Sequence, residues 1–160
     1  FMKSLILYYS DYKNNTKKIA RVFANEIDAE LINIKDVNNI DIKDYNLIGF
    51  GSGVYRESLS PRLFKLVDEL NLRDKNVFVF STSGIGMKFY NRKLIKFLES
   101  KRAINKGNFA CKGSFCAQEV TNNKTLSFIF DIIGRLSQGH PNEKDFKKAK
   151  KFIEKVVDSL

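Results

Sequence analysis

The chain has no tryptophan, two prolines, one histidine (His140) and two cysteines (Cys111 and Cys116) in 160 residues. Each scarcity removes a kind of chemistry. One histidine and two cysteines do not make a metal-ligand cluster. On a regular strand the odd spacing of Cys111 and Cys116 sends the thiols to opposite faces, which argues against a mutual disulfide or a C-x-x-C redox pair and for buried structural thiols. Acidic residues are in deficit, 18 against 28 lysines and arginines, for a formal net charge of +10. No run of about 18 apolar residues and no charged-then-apolar leader is present, so a soluble cytoplasmic protein is expected. The G-x-x-x-x-G-K-[ST] and G-x-G-x-x-G fingerprints of nucleotide folds are missing too. With 43% hydrophobic residues and no internal repeat, residues 2–160 read as a single domain with a sizeable core.

What is present begins with an apolar strand, Leu5-Ile6-Leu7-Tyr8-Tyr9. It runs into the polar loop Ser10-Asp11-Tyr12-Lys13-Asn14-Asn15-Thr16, and a helix starts directly after. The first amides of a helix lack intrahelical partners and sit at the positive end of its dipole, so a phosphate is a natural ligand there. Asn14, Asn15 and Thr16 add side-chain donors. The plainer alternative is that Asn14 or Asn15 only caps the helix.

Ile19, Val22, Phe23 and Ile27 recur at helical spacing behind this loop. Strands are expected over Glu30–Ile34, Tyr45–Ser52, Val77–Phe80 and Phe109–Ala117. Helices are expected from Ser60-Pro61 onward, around Leu94–Leu98 with Lys101 and Arg102 at the negative dipole end, and from Asn142 to Leu160. The link between the second and third strands is expected to lack a full helix. Alternation of this kind implies an α/β fold: a doubly wound, three-layer structure with a five-stranded parallel sheet in the order 2-1-3-4-5. Its crevice opens at the carboxyl ends of strands one, three and four. Those ends carry Ser10–Thr16, Gly51–Ser60 with a close-approaching backbone in the run Gly51-Ser52-Gly53-Val54-Tyr55-Arg56, and Ser81–Gly86 with the run Ser81-Thr82-Ser83-Gly84. Tyr55 offers a face on which a flat heterocycle stacks, and the neighbouring backbone offers hydrogen bonds.

At these three loops the chain resembles the flavodoxin family. The family's first loop usually reads Ser/Thr-x-Thr-Gly-Asn-Thr; here Asn15 and Thr16 are kept, Lys13 replaces a threonine and Asn14 the glycine. Ile48–Tyr55 and Phe80–Gly84 look like the two loops that sandwich a flavin ring. Gly139-His140-Pro141-Asn142-Glu143-Lys144-Asp145 is similar to a junction in short-chain members. The resemblance implies a flavodoxin-like fold that holds FMN non-covalently, with Ser10 to Thr16 at the phosphate and Ser52–Arg56 and Ser81–Gly84 at the ring. It implies an electron carrier with no acid, base or nucleophile of its own. Typical members are acidic and this chain is basic. Acidic redox partners are therefore expected, and Arg56 with the basic surface would favour the anionic reduced cofactor.

Two rivals remain. An FMN-dependent enzyme on the same fold, a quinone reductase or a protoporphyrinogen-oxidase-like protein, draws on the apolar segment Leu126–Leu136, which suits peripheral contact with a membrane or a partner. A flavin-free interaction module is the other. Nucleic acid is not expected as a partner, because the aromatics lie in apolar strands and helix stripes instead of alternating with basic residues.

Overall fold

The computed structural model describes residues 2–10, 14–113, 129, 132–133 and 135–160. Asp11, Tyr12, Lys13, Cys116 and much of the segment 126–136 lie outside the described residues. Among the described residues, strands and helices follow in the order β1 (Ser4–Tyr9), α1 (Asn15–Ile27), β2 (Glu30–Asn33), β3 (Leu47–Tyr55), β4 (Ser58–Leu59), α2 (Pro61–Glu69), β5 (Asn76–Ser83), α3 (Arg92–Ser100), β6 (Ile104–Lys112) and α4 (Glu143–Asp158). Parallel pairing gives β2-β1-β3-β5-β6, with β4 attached antiparallel to β3. Without the two-residue β4, this is the expected five-strand order. As expected, the β2–β3 link holds no full helix, only a 3-10 turn at Ile34–Asp36.

Continuous apolar runs make the central strands because both faces of the sheet are covered. All six residues of β1 are buried, and so is the interior of β5. On one face Ile6, Phe78 and Phe80 pack under α1 and α4, where Phe23 meets the rings of Phe78, Phe80 and Phe109 edge-on at 5.5, 5.1 and 5.5 Å. On the other face Leu5, Leu7, Ile48, Phe50, Val77 and Val79 pack under α2 and α3. The β3 glycines belong to this packing. A Cβ on Gly49 would stand 2.3 Å from the Phe78 ring, and one on Gly51 would stand 2.2 Å from that of Phe80.

Helix ends follow the sequence signals in two cases. Ser60 accepts from Arg62 N with Pro61 at the first position, and Asn142 forms a capping box with Asp145. Lys101 behaves otherwise than its dipole position suggests. Its Nζ donates to Val67 O and Asp68 O, both at 2.7 Å, and so ties the end of α3 to the last turn of α2.

The last strand differs from the expected Phe109–Ala117, since β6 begins at Ile104. Its first half, with Asn105, Lys106 and Asn108, is too polar to read as strand. Pairing with β5 skips Lys106 in a bulge that sets Val77 opposite Asn105 and Phe78 opposite Gly107. β3 likewise continues past Ser52 to Tyr55, because Val54 and Tyr55 pair with Leu59 and Ser58. Among the described residues no helix is long and apolar enough to cross a membrane.

Candidate functional site

Parallel register places the three candidate segments at one edge of the sheet. Tyr9 lies opposite Ser52, Ser52 opposite Ser81, and Gly53 opposite Thr82. α1 starts at the same edge. Asn14 holds the N-cap position in the left-handed conformation, φ 54°, and its side chain makes no capping bond. Asparagine tolerates that conformation better than most residues. The amides of the first turn of α1 are thus not consumed by the Asn14 side chain.

Ser10 and Ser81 are 4% and 0% exposed, and the hydroxyl of each has no hydrogen-bond partner among the described residues. An unpartnered buried hydroxyl costs free energy, so each such group invites an explanation. Ser10 is the residue directly after β1, and α1 begins at Asn15. Asn15 and Thr16 are buried, and Thr16 Oγ1 shares a 2.9 Å hydrogen bond with Thr82 Oγ1. That bond joins the first segment to the third.

Ser52 is wholly buried. Its hydroxyl donates to Gly53 O at 2.6 Å and accepts from Ser60 N at 2.9 Å, which fixes the end of β3 against the start of α2. Ser83 Oγ accepts from Gly86 N at 2.8 Å, and Ser83 O accepts from Gly113 N at 2.9 Å. Gly86 has φ 72°, and a Cβ there would stand 2.9 Å from backbone atoms of Cys111 and Lys112. A Cβ on Gly113 would stand 2.8 Å from Asn15 Nδ2. The end of β6 thus braces both the first and the third segment. No local motif marks Gly113 for this, so sequence reasoning missed it.

Tyr55 is 38% exposed, with its ring 6.3 Å from that of Tyr9, over which the Arg62 guanidinium lies at 4.9 Å. Arg56 and Glu57 form the two-residue turn into β4 with φ 50° and 67°. A hairpin turn of this length favours left-handed residues at both positions and normally recruits Asn-Gly. Non-glycine residues there carry strain of about 1 kcal/mol or more each. Glu57→Gly is therefore expected to raise stability by about 1 kcal/mol, read as a higher urea midpoint with an unchanged slope.

Electrostatically, burial pushes the Tyr8 phenol above its usual range, with Arg21 opposing. Burial, then the charge of Asp145, pushes the Cys111 thiol up and keeps it an unreactive core group, as expected from the sequence. Among the described residues no cluster suits a metal ion.

Comparison with known proteins agrees with this geometry. A flavodoxin-domain family model matches residues 5–129. The uncharacterized protein MJ0298 of Methanocaldococcus jannaschii is 38% identical over 158 residues, covering 98% of this chain and 99% of its own. The flavodoxin-like domain-containing protein BilS of Clostridioides difficile is 30% identical over 174 residues, covering 98% and 97%. Among solved structures, a flavodoxin from the domain Archaea superposes with a TM-score of 0.70 at 17% identity over 99% of this chain and 98% of its own. A Lactobacillus acidophilus flavoprotein in complex with FMN gives 0.55 at 26% identity over 67% and 91%. With its strand order, its loops at one sheet edge and a family match over most of its length, this chain belongs to the flavodoxin family and is a flavoprotein.

Proposed function

We propose that residues 2–160 act as one cytoplasmic domain that binds FMN without a covalent link and carries single electrons between redox proteins with acidic docking surfaces. The observation that carries this reading is the buried Ser10 hydroxyl, without a hydrogen-bond partner among the described residues, in the segment that leads into α1, whose first amides the Asn14 side chain leaves uncapped. Donors so placed fit a phosphate monoester. The flavoprotein that shares 26% identity with this chain was solved with FMN. Ser10 and the amides of Asn15 and Thr16 would hold the phosphate, with Asp11, Tyr12 and Lys13 completing the loop. Gly53, Val54, Tyr55 and Arg56 would flank one side of the ring, and Thr82, Ser83 and Gly84 the other. Ser52 and Ser81 stand behind them in the strands. Gly53 leaves room there, since a Cβ would come no nearer than 3.8 Å to its neighbours. Bound flavin supplies the redox chemistry, while the protein supplies position and electrostatics.

A second reading, an FMN-dependent reductase working at a membrane or partner surface, draws on Ile129, Ile132 and Leu136. These are 48, 45 and 64% exposed, at spacings of one helical stripe. The absorption spectrum of purified protein titrated with FMN tests the first step. Bands near about 375 and 450 nm that shift on binding are expected, and a chain that takes up no FMN would refute the proposal. Steady turnover of a quinone or porphyrinogen would favour the enzyme over the carrier.

A further inference from the structure

The segment between β5 and the head of α3 carries three large apolar side chains in water. Ile85, Met87 and Phe89 are 43, 47 and 43% exposed. A 3-10 turn, Lys88–Asn91, carries Phe89 and packs against β4 and β5. The turn is anchored from beneath, where buried Asn91 donates through Nδ2 to Asn108 Oδ1 at 2.6 Å and to Phe109 O at 2.9 Å. Phe89 thus stands on fixed backbone.

Charge around them is of one sign. Residues 53–65 and 84–93 contain Arg56, Arg62, Lys65, Lys88, Arg92 and Lys93 against the single acid Glu57, all exposed. The Arg92 guanidinium lies 4.7 Å over the Phe89 ring, so cation and apolar surface interleave. At the sheet's other edge, where α2 and α3 end, the bases Arg73, Lys75 and Lys101 stand among the acids Asp68, Glu69 and Glu99.

We propose that this patch docks a protein redox partner whose contact face has an apolar centre edged with carboxylates. The proposal rests on the electron-carrier reading and specifies the partner surface. Interface centres are rich in aromatic residues, Met and Arg, and complementary rims steer encounter. The patch continues directly from Ser81–Gly84, so a partner seated on it lies against the edge of the proposed cofactor site. A small molecule would need a concavity, whereas these side chains stand outward. A lipid surface is gripped by an extended amphipathic helix, which a four-residue turn does not provide.

The test uses the full chain loaded with FMN, photoreduced and mixed by stopped flow with an acidic haem protein, cytochrome b5, and a basic one, cytochrome c. Cytochrome b5 is expected to be reduced about tenfold faster at low salt, with a rate constant that falls about tenfold as salt approaches 0.3 M. The triple variant Lys88→Glu, Arg92→Glu, Lys93→Glu is expected to lose about tenfold in the cytochrome b5 rate while its FMN affinity and visible spectrum stay unchanged. Met87→Ser is expected to slow the same reaction at every salt concentration. If both variants bind FMN normally and reduce cytochrome b5 at the parent rate, the docking surface is wrong and the carrier reading stands. It is equally wrong if the triple variant keeps the cytochrome b5 rate but no longer sediments with vesicles of mixed phosphatidylserine and phosphatidylcholine, which would assign the patch to lipid. Failure of the parent chain to bind FMN would remove both readings together.

Discussion

Gly51→Val is expected to lower stability by about 3 kcal/mol. A Cβ at Gly51 would lie 2.2, 2.3 and 2.4 Å from three atoms of the Phe80 ring, inside any possible contact distance. The ring has nowhere to retreat. It is wholly buried, meets Phe23 edge-on at 5.1 Å and lies 6.0 Å from Phe78. Either the ring leaves its rotamer or β3 moves away from β5, and close-packed interiors resist both. Phe80→Ala alone opens a cavity, whereas the pair Gly51→Val with Phe80→Ala lets new methyl groups fill part of it. A double-mutant cycle on urea midpoints should therefore give a favourable coupling of about 1–3 kcal/mol. Additive losses would show that ring and glycine do not compete for one space.

Ser10→Ala is expected to separate stability from binding. Its hydroxyl is buried without a partner among the described residues, so removing it should leave the stability of FMN-free protein unchanged or raise it by about 1 kcal/mol. A hydrogen bond to a charged group is worth about 1.5–3 kcal/mol, which at about 1.4 kcal/mol per decade is about 10- to 100-fold in affinity. Quenching of flavin fluorescence on titration reads the loss, and urea unfolding of the FMN-free variant reads the other half. An unchanged Kd would remove Ser10 from the phosphate site. A drop in stability would mean that the hydroxyl has a partner in the folded chain.

The parts of this fold that were legible in the sequence are those where one signal dominates locally. Leu5–Tyr9 and Val77–Phe80 announce doubly covered strands because nothing polar interrupts them, and Ser60-Pro61 and Asn142 announce helix starts because their side chains satisfy nearby amides. The start of β6 was hidden because a half-exposed strand with a bulge tolerates Asn105, Lys106 and Asn108. Tyr55–Ser58 was hidden for the opposite reason, since Arg56 and Glu57 lack the glycine that marks such turns. At the site, sequence order alone brought Ser10, Ser52 and Ser81 to one edge. Long-range packing decided the rest. Gly51 looked like a place where backbone approaches a ligand, yet the ring it accommodates is that of Phe80, and Gly113 acquires its role only because β6 ends against Asn15.

The bond between Thr16 and Thr82 has no intrinsic direction, since either hydroxyl can give its proton to the other. An anion seated at the head of α1 that accepts a hydrogen bond from Thr16 leaves Thr82 as the giver within the pair. The Thr82 oxygen is then left with lone pairs alone to offer the proposed ring site. Occupancy at one end would in this way set the polarity met by whatever enters at the other, through the turn of a single hydrogen and with no movement of the backbone.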